Sequence, residues 1–259
     1  MAGIEIGEFA LDGSVAGAGP PLLFLHGGDY VAQNAAFLSR LARHWQVTAP
    51  RHPGFGHSER PAGFRTIHDL AYLYLDWLDR QPEGPVVLVG SSFGGWIALE
   101  ICVRSVARIG RLVLIDPVGV KFGGREDRDI ADIYALPEDE RQRRTFHQPE
   151  RALPDYAALD EDELTAIARD RSATALYGWR PYMHDPGLRQ WLHRVRVPAL
   201  VLWGEGDGIV APQYGEQLCR SLPDARLERI AQAGHYPQIE QPEAVAAAIE
   251  RFASMEARR

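Results

Sequence analysis

Three residues far apart in the chain, Ser92, Asp207 and His235, have the types and the order that nucleophilic catalysis requires. Ser92 sits in Gly90-Ser91-Ser92-Phe93-Gly94, Asp207 closes Gly204-Glu205-Gly206-Asp207, and His235 lies in Ala233-Gly234-His235-Tyr236-Pro237. A serine hydroxyl near neutral pH is a poor nucleophile. It needs a hydrogen-bonded base, normally histidine, whose tautomer is in turn fixed by a carboxylate. Serine, then acid, then histidine is the order that accompanies a Gly-x-Ser-x-Gly turn. Each residue alone also reads as a turn, a cap or a solvated loop group, and the bare five-residue pattern is a weak signal. Their coincidence is what carries the assignment. Two other acids compete for the orienting role. Glu205 is close in sequence, and Asp116 follows an apolar run from which it would reach the same histidine; Asp207 is favoured and Asp116 is the main rival.

Positioning these groups requires a strand, a sharp turn and a helix around the serine. Val86, Val87, Leu88 and Val89 form the apolar, β-branched run expected of a strand buried on both faces. After the turn, Trp96, Ile97, Leu99, Ile101 and Val103 follow helical periodicity. Glycine at 90 and 94 suits a turn so tight that a side chain would meet neighbouring backbone. Ser92 is thereby left at the apex, above a helix N-terminus that favours developing negative charge. A tetrahedral oxyanion needs two donors. The peptide N–H of Phe93 is one, and the loop His26-Gly27-Gly28, after the apolar run at 22–25, supplies the other from Gly28. His26 itself reads as a structural hydrogen-bonding residue.

The remaining chain alternates strand and helix patterns. Residues 4–13 read as a half-buried strand entering a hairpin at Asp12-Gly13, 16–21 as a loose connection, 32–45 as a helix and 46–49 as a strand. An amphipathic helix is predicted over 66–80, and a strand over 112–115. From Val118 to Arg196 the sequence turns charge-rich, is interrupted by prolines and lacks strand patterns, so it reads as a helical insertion. The rhythm resumes with a strand at 199–203, a helix at 213–221, a strand at 226–230 and a helix at 242–256. Such alternation implies a mostly parallel sheet wrapped by helices, with ligands at the carboxyl ends of the strands. The three candidate residues all fall at such ends.

Composition narrows the function classes. A net charge of −7 over 259 residues gives no basic footprint for nucleic acid. Two cysteines are too few for a disulfide scaffold; Cys102 lies among apolar helix positions and reads as core, and neither Cys102 nor Cys219 has a metal-ligand neighbour. His52 and His57, in a loop dense in glycine and proline, lack a carboxylate or thiolate set with ligand spacing, and the Gly-Phe-Gly run lacks the third glycine of a dinucleotide fingerprint. No metal is expected. The N-terminus lacks a signal-peptide pattern and no window has the apolar length to span a bilayer, so no membrane contact and a cytoplasmic location are expected.

With these pieces in place, the chain resembles the α/β-hydrolase fold family over nearly its whole length. The matching segments are LFLHGGD (23–29), APRHPGFGHSERP (49–61), VGSSFGGWIALE (89–100), LVLIDP (112–117), PALVLWGEGDGIV (198–210) and AGHYPQIEQPEAV (233–245). Arg51 departs from the family pattern, where many relatives carry an acidic residue, and puts that loop's contacts in question. The resemblance implies a doubly wound, eight-stranded-type sheet flanked by helices, with a core of residues 1–117 and 197–259 and a cap of residues 118–196. It implies a small-molecule substrate, no cofactor and no metal; the oligomeric state is left open, a homodimer among the options. A serine nucleophile excludes the branches that attack through aspartate. Three readings follow: a serine hydrolase of small esters, thioesters or lactones, which is favoured; a carbon–carbon bond hydrolase, for which Arg171, Arg180 and Arg189 of the cap offer cations for a substrate carboxylate; and a slow-turnover ligand receptor. Trp179, Tyr182, Phe146, Tyr134 and Met183 are the cap residues expected to line an apolar cleft, though ordinary packing accounts for each singly.

Overall fold

The run VVLVGS is the middle of the sheet in a computed structural model of the chain, which describes residues 3–6, 9–82, 84–124 and 126–255. In chain order the strands are β1 (Ile4–Ile6), β2 (Phe9–Leu11), β3 (Gly13–Ala16), β4 (Pro21–Leu25), β5 (Gln46–Pro50) and β6 (Val86–Ser91). They continue with β7 (Ile109–Ile115), β8 (Gly119–Val120), β9 (His184–Asp185), β10 (Ala199–Gly204) and β11 (Ala225–Ile230). Among the described residues the central sheet has seven strands in the order β11-β10-β7-β6-β4-β5-β3. All pairs are parallel except β3 with β5, which is antiparallel at the edge. The chain is an α/β protein.

Two features differ from the sequence reading. The segment at 4–13 is not one strand: β1 and β2 pair with each other, Ile4 opposite Leu11 and Ile6 opposite Phe9, and form a small sheet of their own. Residues 7 and 8, within that expected strand, lie outside the described residues, as does residue 256 at the end of the last expected helix. The expected loose connection at 16–21 begins inside β3, which covers the edge of the sheet beside β5. An edge strand needs only one neighbour and one buried face, so its sequence carries little apolar signal. This pairing leaves seven strands where the resemblance implied an eight-stranded type.

The chain steps outward from β4 to β5, then crosses back to place β6 on the other side of β4. That reversal is the switch point where open α/β sheets leave a crevice at the carboxyl ends. The loops after β4 and β6 therefore face each other. The helix Phe93–Arg104 packs beneath, buried along residues 93–103, which explains a pattern apolar on nearly every side. The helix Ile67–Asp79 begins at a capping box, with the Thr66 hydroxyl accepting from Asp69 N–H and the Asp69 carboxylate accepting from Thr66 N–H.

The 118–196 segment carries the helices Glu138–Thr145, Pro149–Ala152, Glu161–Gly178 and Leu188–Trp191, but it is not free of strands as the sequence reading had it: β8 and β9, two residues each and too short to leave a pattern, pair in parallel and close the segment on itself. Glu138, Asp139 and Glu140 open the first of these helices and Arg143 and Arg144 end it, a charge order that complements the helix dipole. Arg51 finds one partner on its own side and one across this boundary: its guanidinium reaches Asp12 at 3.3 Å and Asp170 of the cap at 3.4 Å.

Candidate active site

Ser92 stands between β6 and the helix Phe93–Arg104 with φ 49° and ψ −113°, a conformation rare for a residue with a side chain. Such strain costs on the order of 1–3 kcal/mol and persists only where the surroundings fix it. Here the backbone N–H of Ser92 donates to Ile115 O at 2.8 Å, and its carbonyl accepts from Trp96 at 3.2 Å. A Cβ on Gly94 would lie 2.0 Å from Leu25 O, so helix and β4 can approach this closely only with glycine at that position.

Three strand ends bring the polar groups together. Ser92 Oγ lies 2.8 Å from His235 Nε2, and His235 Nδ1 lies 2.8 Å from Asp207 Oδ2. A carboxylate only accepts, so Nδ1 carries the proton and Nε2 is left to accept from the serine hydroxyl. Asp207 Oδ1 accepts the N–H groups of Ile209 and Val210 at 2.8 and 2.9 Å, which fixes the carboxylate's rotation. Ser92, His235 and Asp207 are all buried. This relay can deprotonate a hydroxyl as it attacks an electrophilic carbon.

Asp116, the rival acid, follows β7 beside β10 and has no solvent exposure. It accepts the Gly204 N–H at 3.0 Å. Burial, and then the charge of Asp207, push its carboxyl well above the ordinary range. It stands behind Asp207, while Asp207 faces the histidine.

The loop His26-Gly27-Gly28 is squeezed from two directions. Gly27 has no room for a Cβ against the Tyr236 ring at 2.7 Å, and Gly28 none against Thr174 Cγ2 at 2.6 Å. Thr174 Oγ1 donates to Gly28 O at 2.6 Å, so the cap helix Glu161–Gly178 holds the loop's carbonyl. His26 supports it from below: its ring lies 3.9 Å from that of His52, and its Nε2 accepts the His52 N–H at 3.0 Å. Burial drives the His52 pKa down to about 3, and burial followed by the neighbouring His52 lowers that of His26 well below the ordinary value. Both rings are neutral and structural. His57 pairs instead with Asp162 at 3.2 Å.

A cavity of about 450 Å³, its mouth included, opens over Ser92 and is lined by Gly28, Phe93 and His235. One wall is apolar, made by Val118, Ile130, Ile133, Met183 and Ile209; the other carries Asp29, Tyr30, Arg141 and Tyr236. Of the cap residues expected at the cleft, Tyr182 and Met183 line it. Phe146 is buried one layer behind, against Tyr30 and Tyr236 at 4.8 and 6.1 Å. Tyr134 and Trp179 pack against each other at 6.0 Å on the surface, 40% and 50% exposed, and are outside the lining. Arg180 is exposed, and Arg189 donates to Phe122 O, away from the cavity.

The polar wall was not anticipated. Asp29 Oδ2 receives Arg141 Nη1 at 2.8 Å and Arg171 Nε at 3.3 Å, and Arg141 also reaches Glu138 through Nε and Nη2. Asp29 closes the matched segment LFLHGGD and was legible there. Arg141 had no signal, because it lies among alternating charges that resemble a solvated helix face. Among the described residues, one further group, His68, Glu100 and Asp185, has metal-ligand spacing. Its Glu100 is already engaged by Arg104 and by Trp96 Nε1. No described helix is long and apolar enough to cross a membrane.

A family model described as "Alpha/beta hydrolase family" matches residues 22–248. A 2-hydroxymuconate semialdehyde hydrolase from Pseudomonas sp. (strain CF600) is 32% identical, the alignment covering 87% of this chain and 83% of that protein. Esterase YbfF of Escherichia coli (strain K12) is 29% identical over 71% of this chain and 73% of its own. Among solved structures, the 2-hydroxy-6-oxo-6-phenylhexa-2,4-dienoate hydrolase from Rhodococcus sp. strain RHA1 superposes with a TM-score of 0.77 at 24% identity, covering 98% of each chain.

Proposed function

Because the chain belongs to the alpha/beta hydrolase family, we propose that it is a serine hydrolase of small, uncharged carboxylic esters, thioesters or lactones. The observation that carries this reading is the relay of 2.8 Å contacts from Ser92 Oγ through His235 to Asp207. His235 Nε2 takes the hydroxyl proton as Ser92 Oγ attacks the acyl carbon. The resulting oxyanion accepts from the N–H groups of Gly28 and Phe93. His235 returns the proton to the leaving oxygen, the ester bond breaks, and water, deprotonated by the same nitrogen, releases the acid from Ser92. Asp207 holds Nδ1–H throughout and stabilises the imidazolium.

The preference for an uncharged substrate rests on the polar wall. The charged residues that line it are Asp29 and Arg141, and behind them Arg171 and Glu138 add one positive and one negative charge outside the lining. No cation is left over for a substrate carboxylate. A second reading is favoured by a specific observation: 2-hydroxymuconate semialdehyde, acted on by the relative at 32% identity, contains no ester, so its hydrolysis opens a carbon–carbon bond. The same relay serves that chemistry with carbon as the leaving group.

Steady-state hydrolysis of p-nitrophenyl esters of increasing acyl length, beside a dienone acid, separates the two. Ester turnover that vanishes in Ser92→Ala supports the proposal. Turnover of the dienone acid without ester turnover overturns it in favour of the second reading.

A further inference from the structure

We propose that Asp29 sets the charge selectivity of the cavity: by neutralising Arg141 and Arg171 it makes the polar wall accept uncharged substrates and turn away those bearing a carboxylate. The inference takes from the functional reading only that the cavity over Ser92 is where substrate sits.

Asp29 follows Gly28 directly, so the loop proposed to present the oxyanion donor also fixes this carboxylate in the lining. Its Oδ1 accepts the N–H of Tyr30 at 3.0 Å, and its Oδ2 faces the two guanidinium groups. Asp29 is 7% exposed and the Arg141 side chain 8%, so their attraction is little weakened by solvent. Arg141 is held on its other side by Glu138, and its guanidinium lies 5.6 Å from the centre of the Tyr30 ring, which orients it toward the cavity rather than the surface. An incoming carboxylate would occupy the position that Asp29 already fills, beside a like charge. In an Asp29→Asn protein the two arginines face only Glu138. The group then carries one net positive charge, shared between the buried Arg141 and the 39% exposed Arg171, and a substrate anion in the cavity is a group that would compensate it.

The test compares p-nitrophenyl butyrate with two probes that add a carboxylate on either side of the ester: mono-p-nitrophenyl succinate on the acyl side and the butyryl ester of glycolate on the alcohol side. In the parent both anionic probes should have a kcat/KM well below that of the neutral one. In Asp29→Asn the ratio of anionic to neutral kcat/KM should rise about 10- to 100-fold for one of the two, whatever the variant does to the neutral rate. Adding Arg141→Gln to Asp29→Asn should abolish that gain, which a general loosening of the loop would not do. Binding of ethyl butyrate and monoethyl succinate to Ser92→Ala, with and without Asp29→Asn, reads the same ratio without turnover. If the protein cleaves no ester at all, the functional reading fails while this binding ratio still decides the charge rule. A parent that binds the anion as well as the neutral ester, or a ratio unchanged by Asp29→Asn for both probes, overturns the proposal.

Discussion

Asp116 and Asp207 follow the neighbouring strands β7 and β10 and hold carboxyl oxygens within 4.8 Å of each other and of a His235 ring nitrogen. Two negative charges so close and so buried are disfavoured, and burial together with the charge of Asp207 shifts Asp116 toward its protonated form. Removing Asp207 removes one cause of that shift and leaves a second acid within reach of the base. Asp207→Ala should therefore lower kcat/KM by about 100- to 1,000-fold, short of the roughly 10⁴-fold loss expected when a triad acid has no substitute. Asp116→Ala alone should cost less than about tenfold, and in the Asp207→Ala background at least another tenfold. A double variant no slower than Asp207→Ala would show that Asp116 takes no part.

The contact of Gly28 with Thr174 ties the loop proposed to hold the oxyanion to the helix Glu161–Gly178. A methyl group at 28 would meet Thr174 Cγ2 at 2.6 Å and Oγ1 at 2.8 Å, so Gly28→Ala must move either the loop or the helix. The expected result is a fall in kcat of about 100-fold, the typical cost of losing one oxyanion donor. Trimming the obstruction in Gly28→Ala/Thr174→Ala should restore about tenfold of it. Steady-state kinetics of the pair check this; a double variant as slow as Gly28→Ala would place the damage in the loop's own backbone.

The core was legible in the sequence because its signals are local and redundant. Buried parallel strands such as β6 must be apolar throughout, and the turn at Ser92 admits only glycine where helix meets strand. The cap was legible only as a composition. Its contacts with the core are long-range and partly backbone-mediated: Thr145 O accepts the His235 N–H at 2.7 Å, and Arg144 O accepts the Gly208 N–H at 2.9 Å. A carbonyl is common to every residue, so no side-chain pattern records it. Arg141 was hidden for a related reason, since its spacing from Glu138 matches an ordinary surface pair and its burial depends on Asp29 from a distant segment.

Asp170 joins cap to core, accepting the Gly56 N–H at 2.8 Å beside Arg51. Burial outweighs these partners and raises its pKa from 3.8 to about 6. The folded state thus holds this proton more tightly than the unfolded state, so the group's contribution to stability is full below the unfolded pKa and is lost as pH rises through about 6. Asp170→Asn lacks the titration. Between about pH 4 and pH 7 the Tm of the parent should fall relative to that of the variant by roughly 5 °C, the equivalent of about 2–3 kcal/mol. A Tm difference that does not vary with pH would contradict this.

Gln238 links three loops around the site: its own, which carries His235, the one at Ser91, and the one behind Gly28. Its Nε2 donates to Ser91 Oγ at 3.0 Å, next to the nucleophile, and to Asn34 Oδ1 at 3.2 Å; Asn34 in turn donates to Tyr30 O at 3.2 Å and Val31 O at 3.0 Å behind Gly28. Gln238, Ser91 and Asn34 are all buried, so an acceptor deprived of its donor cannot turn to water. Gln238→Leu strands two acceptors and should cost about 2–4 kcal/mol of stability. Gln238→Glu keeps the shape, and the Ser91 hydroxyl can turn to donate to it, but it presents oxygen to Asn34 Oδ1, a conflict relieved while the new carboxyl is protonated. Its buried position would raise that group's pKa, so stability should be near the parent's at about pH 5 and drop as the carboxyl ionises toward about pH 8. Urea denaturation of both variants at the two pH values measures this. A Gln238→Glu protein as stable as the parent at the higher pH would mean that the amide's donors do not bind the three loops together.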